Sequence, residues 1–259
     1  MGLNLKQLFL SLFFILISSP ALCTNYCNDA SIAACYEFRT EGGSGTTLDD
    51  TGANDENGTI SGADWTSTIP SGYSGIYSLQ WDILNADIVT LTSDSSIELQ
   101  NPLSIVAWAN LTDALSIGTE KVIWGGDTGS SFFGIMVKTN NTLAVDKRYA
   151  VNVGNATTAF AEGSYVHVTF TQASDGAYVF YQDGVEDGTG TNDQTFTYNT
   201  GTINIGGDTN VLDSTWYGYL TQVATFTRQI NSTEVNDIMD NSLAGATASA
   251  RRIWMMDDG

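Results

Sequence analysis

Short runs of alternating apolar and polar residues are the feature that most constrains this chain. The segments "LSIVAWANL" (103–111), "FFGIMVK" (132–138), "YVHVTFT" (165–171), "AYVFYQDG" (177–184) and "TINIGG" (202–207) are rich in β-branched and aromatic residues at period two, the signature of strands with one buried face. Shorter strands fit 77–81, 87–91, 121–125 and 217–226, and Asp183–Gly184 reads as a tight turn closing a hairpin. Between the runs stand Gly, Asn, Asp, Ser and Thr, so each strand is brief and the chain reverses often. Strands of this kind must cover their apolar faces with a second sheet. The pattern therefore predicts an all-β fold, a two-sheet antiparallel jelly-roll sandwich.

One helix is expected near the C-terminus. In "NSTEVNDIMDNSLAG", Asn231 or Ser232 can cap, Glu234 falls in the first turn, and Gly245 supplies the stop. A domain over 35–245 follows, after a lead-in at 24–34. The tail 246–259 carries no clear element. Its "IWMMDDG" echoes "YEFRTEGG" near the start of the domain, which fits either the opening of a second module or a terminal tail.

The first 23 residues stand apart from the fold. Lys6 precedes an apolar run from Leu8 to Ile17, then Ser-Ser-Pro and small residues, the layout of a secretory signal peptide. The run is well short of the roughly 20 residues that span a bilayer. Cleavage fits after Ala21 or after Cys23. An exported, secreted or cell-surface protein is expected, with no membrane insertion of the mature chain. Export also allows Cys27 and Cys35, a short loop apart, to pair.

Charge narrows the partners. With 9 basic against 29 acidic residues the formal charge is −20, a field that repels phosphate backbones and anionic lipid, so nucleic acid is excluded as an expected partner. It attracts divalent cations.

The strand runs also spell a family pattern. "YEFRTEGGSGTTLDDTGANDENGTISG" (36–62) looks like an opening strand with the loop "EGSGT…D.SG.N..G". "LSIVAWANL" is similar to a strand with a central Trp, and "YVHVTFTQASDGAYVFYQDGVEDG" to a "W.HVA.T…..LYVDG" hairpin. "INIGGDTN" with "WYGYLTQVATFTRQINSTEVNDI" looks like a closing "IGG……F.G.IDEVRIYNRALS..EI". Four blocks in order, over 35 to about 240, identify a resemblance to the laminin G-like jelly-roll domains of the concanavalin A-like lectin/glucanase superfamily. Members are commonly adhesion or carbohydrate-binding modules, and many hold a structural calcium. The resemblance makes Asp50 and Asn54 candidate Ca²⁺ ligands, and oxygen donors on a loop suit that ion. One position departs: where the family has an Asp, this chain has Thr221.

Other chemistries find little support in the residues. The Gly-rich start of "EGGSGTTLDDTGANDENGT" (41–59) lacks the GK[ST] ending of a phosphate loop. His167, the only histidine, sits between two valines in a strand and reads as structural and hydrogen-bonded. The E-x-D-x-x-E motif of retaining glycosidases on this fold is missing. The adjacent pairs Asp49–Asp50 and Glu186–Asp187 point to opposite strand faces and read as solvated turn charges. Sugar binding calls for exposed rings, and Trp65, Tyr73, Trp216 and Tyr217 fall in expected loops or strand edges, whereas Trp81, Trp108 and Trp124 read as core. Five N-x-[ST] sequons lie at Asn57, Asn110, Asn140, Asn155 and Asn231. The expected function is a non-catalytic binding module for extracellular carbohydrate or protein, the alternatives being a structural spacer and, less favoured, a glycoside hydrolase.

Overall fold

The computed structural model describes residues 31–36, 38, 44–51, 56–71, 77–82, 87–91, 102–112, 119–127, 132–147, 151–192, 202–208 and 214–240. The expected signal peptide, the tail 246–259, Cys27, Asn54, Tyr73 and Gly245 lie outside them.

In chain order the strands are β1 (Ile32–Tyr36), β2 (Thr47–Leu48), β3 (Gly58–Ser61), β4 (Asp64–Thr66), β5 (Ser78–Trp81), β6 (Ile88–Leu91), β7 (Leu103–Leu111) and β8 (Lys121–Asp127). There follow β9 (Phe132–Val137), β10 (Thr142–Lys147), β11 (Val151–Ala159), β12 (Tyr165–Gln172), β13 (Ala177–Gln182), β14 (Val185–Thr191), β15 (Thr202–Ile205) and β16 (Gly218–Phe226), and then helix α1 (Ser232–Asp240). They make two antiparallel sheets of eight strands. The first runs β14-β13-β12-β7-β16-β5-β4, with β1 also on β16, and the second runs β11-β10-β9-β8-β15-β6-β3-β2. The two-sheet sandwich expected from the alternation is present. Strand β1 begins at Ile32, within the expected lead-in, and pairs with β16.

Alternation sets the core. On β7 the odd positions Leu103, Ile105, Ala107, Ala109 and Leu111 face inward, and on β12 so do Val166, Val168 and Phe170. Phe133 of the second sheet meets Phe170 of the first edge-on at 6.5 Å. Trp81 and Trp124 are fully buried core residues. Trp108 is not: it lies half-buried on the opposite face of β7, in register with His167 and Thr221. A single residue of register decides which face a strand residue serves.

Several strands carry no strong alternation signal. In β11 Asn155, Thr157 and Thr158 are exposed, and β14 reads "VEDGTGT". Tertiary contacts fix them instead. Glycines let Tyr178 lie between the sheets at this edge, since a Cβ at Gly154 or Gly190 would collide with its ring. Asp187 accepts bonds from Thr158 N (3.0 Å) and Thr158 Oγ1 (2.8 Å), tying β14 to β11. Asp187 is buried, so it is a cross-sheet staple and not a solvated turn charge.

The β13–β14 turn is as expected. Asp183 and Gly184 have φ of 49° and 74°, the conformation of a two-residue type I′ turn. Helix α1 covers part of the outer face of the first sheet, where Ile230, Val235 and Ile238 pack with Val106, Ala224 and Phe226. Its start is a reciprocal capping box. Asn231 Oδ1 accepts from Glu234 N at 3.0 Å, and Asn231 N donates to Glu234 Oε2 at 2.9 Å. Asn231→Ala should cost about 1 kcal/mol in denaturant unfolding, with the m-value unchanged.

His167 is fully buried, with neither ring nitrogen hydrogen-bonded among the described residues, which corrects the hydrogen-bonded role expected from sequence. Its ring meets Trp108 edge-on at 5.0 Å, and burial pushes its pKa down to about 3. The folded protein keeps this imidazole neutral where the unfolded chain, titrating near 6.5, takes a proton. Its contribution to stability is therefore complete above about pH 6.5 and is lost as pH falls toward 3, about 2 kcal/mol of it by pH 5. A His167→Gln variant lacks this term. The difference in unfolding free energy between wild type and variant should shift by that amount between pH 7 and pH 5; a constant difference would show that the imidazole titrates normally.

Candidate functional site

A shallow groove of about 400 Å³ opens where β3 of one sheet turns into β4 of the other. Its walls include Ser44, Gly45, Thr46, Ile60, Asp64 and Trp65. The turn that makes it depends on Gly62, which has φ 87° and packs so closely on Asp87 that a Cβ would strike the carboxylate. Asp87 in turn accepts from Asp82 N at 2.7 Å and closes the loop between β5 and β6. Burial holds its carboxyl above the ordinary range, opposed by the Asp82 N–H and reinforced by the Asp82 and Asp64 charges.

Trp65 is the aromatic element of this groove. Its indole is half-buried, and Nε1 donates to Gly45 O at 3.0 Å. Phe38 and Tyr77 meet it edge-on, each with a centroid separation of 6.3 Å. The ring is fixed by neighbours on two sides while it lines an open surface, and hydroxyls and the exposed Asp64 carboxylate stand beside it. Such a set can stack on an apolar ligand face and accept hydrogen bonds from its edge.

The remaining expected ring residues divide. Trp216 is fully buried; its Nε1 donates to Asn110 O at 3.2 Å and its ring meets Phe160 at 6.1 Å. That corrects its place among exposed platforms: Ser214 and Thr215 before it are buried too, and its ring fills the core. Tyr217 is half-buried just before β16, and is not among the groove walls. Sequence reasoning missed Asp64 and the Ser44–Thr46 wall. A Trp directly after the turn "SGAD" was the available signal.

Asp50 is a loop staple. Buried, it accepts from Cys35 N (2.8 Å) and Glu56 N (3.1 Å), while its own N–H donates to Asn57 Oδ1 at 2.8 Å. It too is no solvated turn charge. Burial, then the Asp50 and Glu56 charges, raise the Tyr36 phenol well above its usual range, and its hydroxyl donates to Glu56 O at 2.8 Å. Of the expected calcium ligands, Asp50 already accepts from two backbone amides and Asn54 lies outside the described residues; no group of three or more His, Cys, Asp or Glu side chains is gathered among the described residues. Thr221, the departure from the family pattern, donates its hydroxyl to Tyr77 O at 2.9 Å. Cys35 is disulfide-bonded; the Cys27 expected opposite it lies outside the described residues.

Two other polar groups lie apart from the groove. Lys138 Nζ is 2.7 Å from Asp146 and 3.8 Å from Glu120, an internal ion network. Of the sequon asparagines, Asn110 is buried and the other four are exposed. No helix among the described residues is long and apolar enough to cross a membrane.

Comparison with known proteins then places the fold. Residues 85–236 match the laminin G family model described as belonging to the concanavalin A-like lectin/glucanases superfamily. A search of curated proteins found no match. Among solved structures, domain 4 of AbnA, an extracellular GH43 arabinanase from Geobacillus stearothermophilus solved with arabinotriose, aligns at TM-score 0.61 and 16% identity, over 80% of this chain and 97% of that one. The binding domain of Paraclostridial Mosquitocidal Protein 1 aligns at TM-score 0.61 and 13% identity, over 80% and 51%. The binding domain of botulinum neurotoxin DC, in complex with rat synaptotagmin II, aligns at 0.58 and 14%, over 80% and 50%. The chain thus spans about half the length of the two toxin domains and nearly all of the arabinanase domain. With its family model matched across more than half of the sequence, and two eight-stranded antiparallel sheets beneath it, the chain belongs to the laminin G-like domains of the concanavalin A-like lectin/glucanase superfamily.

Proposed function

We propose that this domain is a non-catalytic extracellular recognition module that binds oligosaccharide in the groove beside Trp65. The observation that carries the reading is the immobilised, half-buried indole lining an open groove with hydroxyls and one carboxylate. A fixed ring gains stacking energy without first losing rotamer freedom. The resemblance to an arabinanase domain solved with arabinotriose supports a sugar ligand and makes arabino-oligosaccharides the first to test. Against catalysis, Asp50 and Asp187, one from each adjacent acidic pair, are committed to hydrogen bonds that hold strands and loops.

A glycan array followed by calorimetry checks this. Wild type should bind a subset of neutral glycans, and Trp65→Ala should weaken the best of them at least about tenfold, a loss of roughly 1.4 kcal/mol, with an unchanged far-UV spectrum. Binding unaffected by the substitution would move the site elsewhere. Binding to protein baits but to no glycan would favour the protein-receptor reading instead, for which the synaptotagmin-bound toxin domain is the structural parallel. Binding to neither would leave the spacer reading.

Calcium is proposed only as a structural ion of the Asp50–Asn54 loop, on the strength of the loop's resemblance and its oxygen chemistry. To take the ion, Asp50 would have to share or surrender the amide of Glu56. Calcium should raise the Tm over a chelated sample and Asp50→Asn should abolish the difference. Equal Tm in both samples removes calcium from the account.

A further inference from the structure

We infer that the glycan site continues from the Trp65 groove across the outer face of the first sheet, and that it accepts a neutral oligosaccharide chain. This rests on the Trp65 reading and extends it. Strand register places five residues in one lateral row: Tyr165 on β12, Asn110 on β7, Tyr219 on β16, Gln80 on β5 and Asp64 on β4. At the ordinary spacing of neighbouring strands the row is about 19 Å long. One end is Asp64, which also lines the groove.

The row has the composition of a sugar track. Tyr165 and Tyr219 are half-buried, with rings 6.2 Å apart and tilted by 41°. Gln80 and Asp64 are exposed. Between the two rings, Asn110 is nine-tenths buried, and its side-chain oxygen is closed off from solvent with no hydrogen-bond partner among the described residues, so the polar groups of the row open to a ligand are those of Gln80 and Asp64. The chain after β4 forms one wall. Thr68 O accepts from Tyr165 Oη and from Ser78 Oγ, both at 2.6 Å, which pins the Tyr165 ring in place.

Charge selects the ligand class. No member of the row is basic, and the chain carries −20 overall. Sulfated, phosphorylated or uronic-acid glycans would meet repulsion with no cation among the described residues of the row or groove to offset it. Neutral glycans lose nothing to this field, and their hydroxyls can donate to the exposed Asp64 and Gln80.

The test compares a disaccharide with a hexasaccharide of the same neutral series by calorimetry. Wild type should bind the hexasaccharide more tightly. Tyr219→Ala should lower hexasaccharide affinity about tenfold while changing the disaccharide less than about twofold, and Tyr219→Phe should restore most of the loss by keeping the ring. Trp65→Ala should weaken both ligands. If Tyr219→Ala leaves the hexasaccharide untouched while Trp65→Ala abolishes binding, the extension is wrong and the groove stands. Binding of a sulfated or uronic-acid hexasaccharide as tight as that of the neutral one overturns the neutral preference. If no oligosaccharide binds at all, the groove reading and its extension fall together.

Discussion

The architecture hangs on β16. This one strand hydrogen-bonds β7 along one edge and shares its other edge between β5 and β1. It therefore joins the first described strand to the last, residues nearly two hundred positions apart in sequence. Every such contact closes a long loop, and the entropy of closure is repaid only when the whole sheet forms. A bulge between Thr221 and Ala224, with Gln222 at φ 53°, lets the strand serve both partners. Before the bulge Leu220 enters the main core, and after it Ala224 and Phe226 face helix α1.

Polar groups that look like surface chemistry in the sequence do mechanical work in the fold. Asp50 and Asp187 each belong to an adjacent acidic pair in sequence, Asp49–Asp50 and Glu186–Asp187. Both are buried and accept backbone N–H groups, Asp50 at the loop after β2 and Asp187 at the open edge between the sheets. Ser104 does the same for the chain entering α1, donating to Arg228 O and accepting from Ile230 N. A sandwich closes its two sheets against each other but leaves loop amides and strand edges to be satisfied. Short acidic and hydroxyl side chains meet that need here. In an acidic protein of this fold, a carboxylate is therefore weak evidence for a metal or for catalysis until its partners are known.

The groove and the tyrosine row share a logic. Each fixes aromatic rings with local bonds, Gly45 O for Trp65 and Thr68 O for Tyr165, and leaves acceptors beside them. No Lys or Arg stands among the described residues that line the groove or make the row. Both follow from loops that cross between sheets or lie over them, which is where a rigid scaffold usually displays recognition surfaces.

Alternation alone was enough to find β7, β9, β12, β13, β15 and β16 and the two-sheet arrangement, since a period of two with β-branched and aromatic residues can bury its apolar face in little else. Turn chemistry placed the Asp183–Gly184 hairpin, and capping chemistry placed α1, for the same local reason. The polar strands β11 and β14 were not legible, because their stability comes from neighbours and not from their own side chains. Nor did local pattern tell which rings are exposed. Trp65 and Trp216 stand in loop-like stretches and Trp108 within a clear alternating strand, yet Trp216 fills the core, Trp108 faces outward, and Trp65 lines a groove. The sequence by itself determined the fold class, the acidic field and the local turns, all of which depend on neighbours along the chain. Only the tertiary structure decided the site, because pairing register sets which strand face each residue joins and which residues, far apart in sequence, stand side by side.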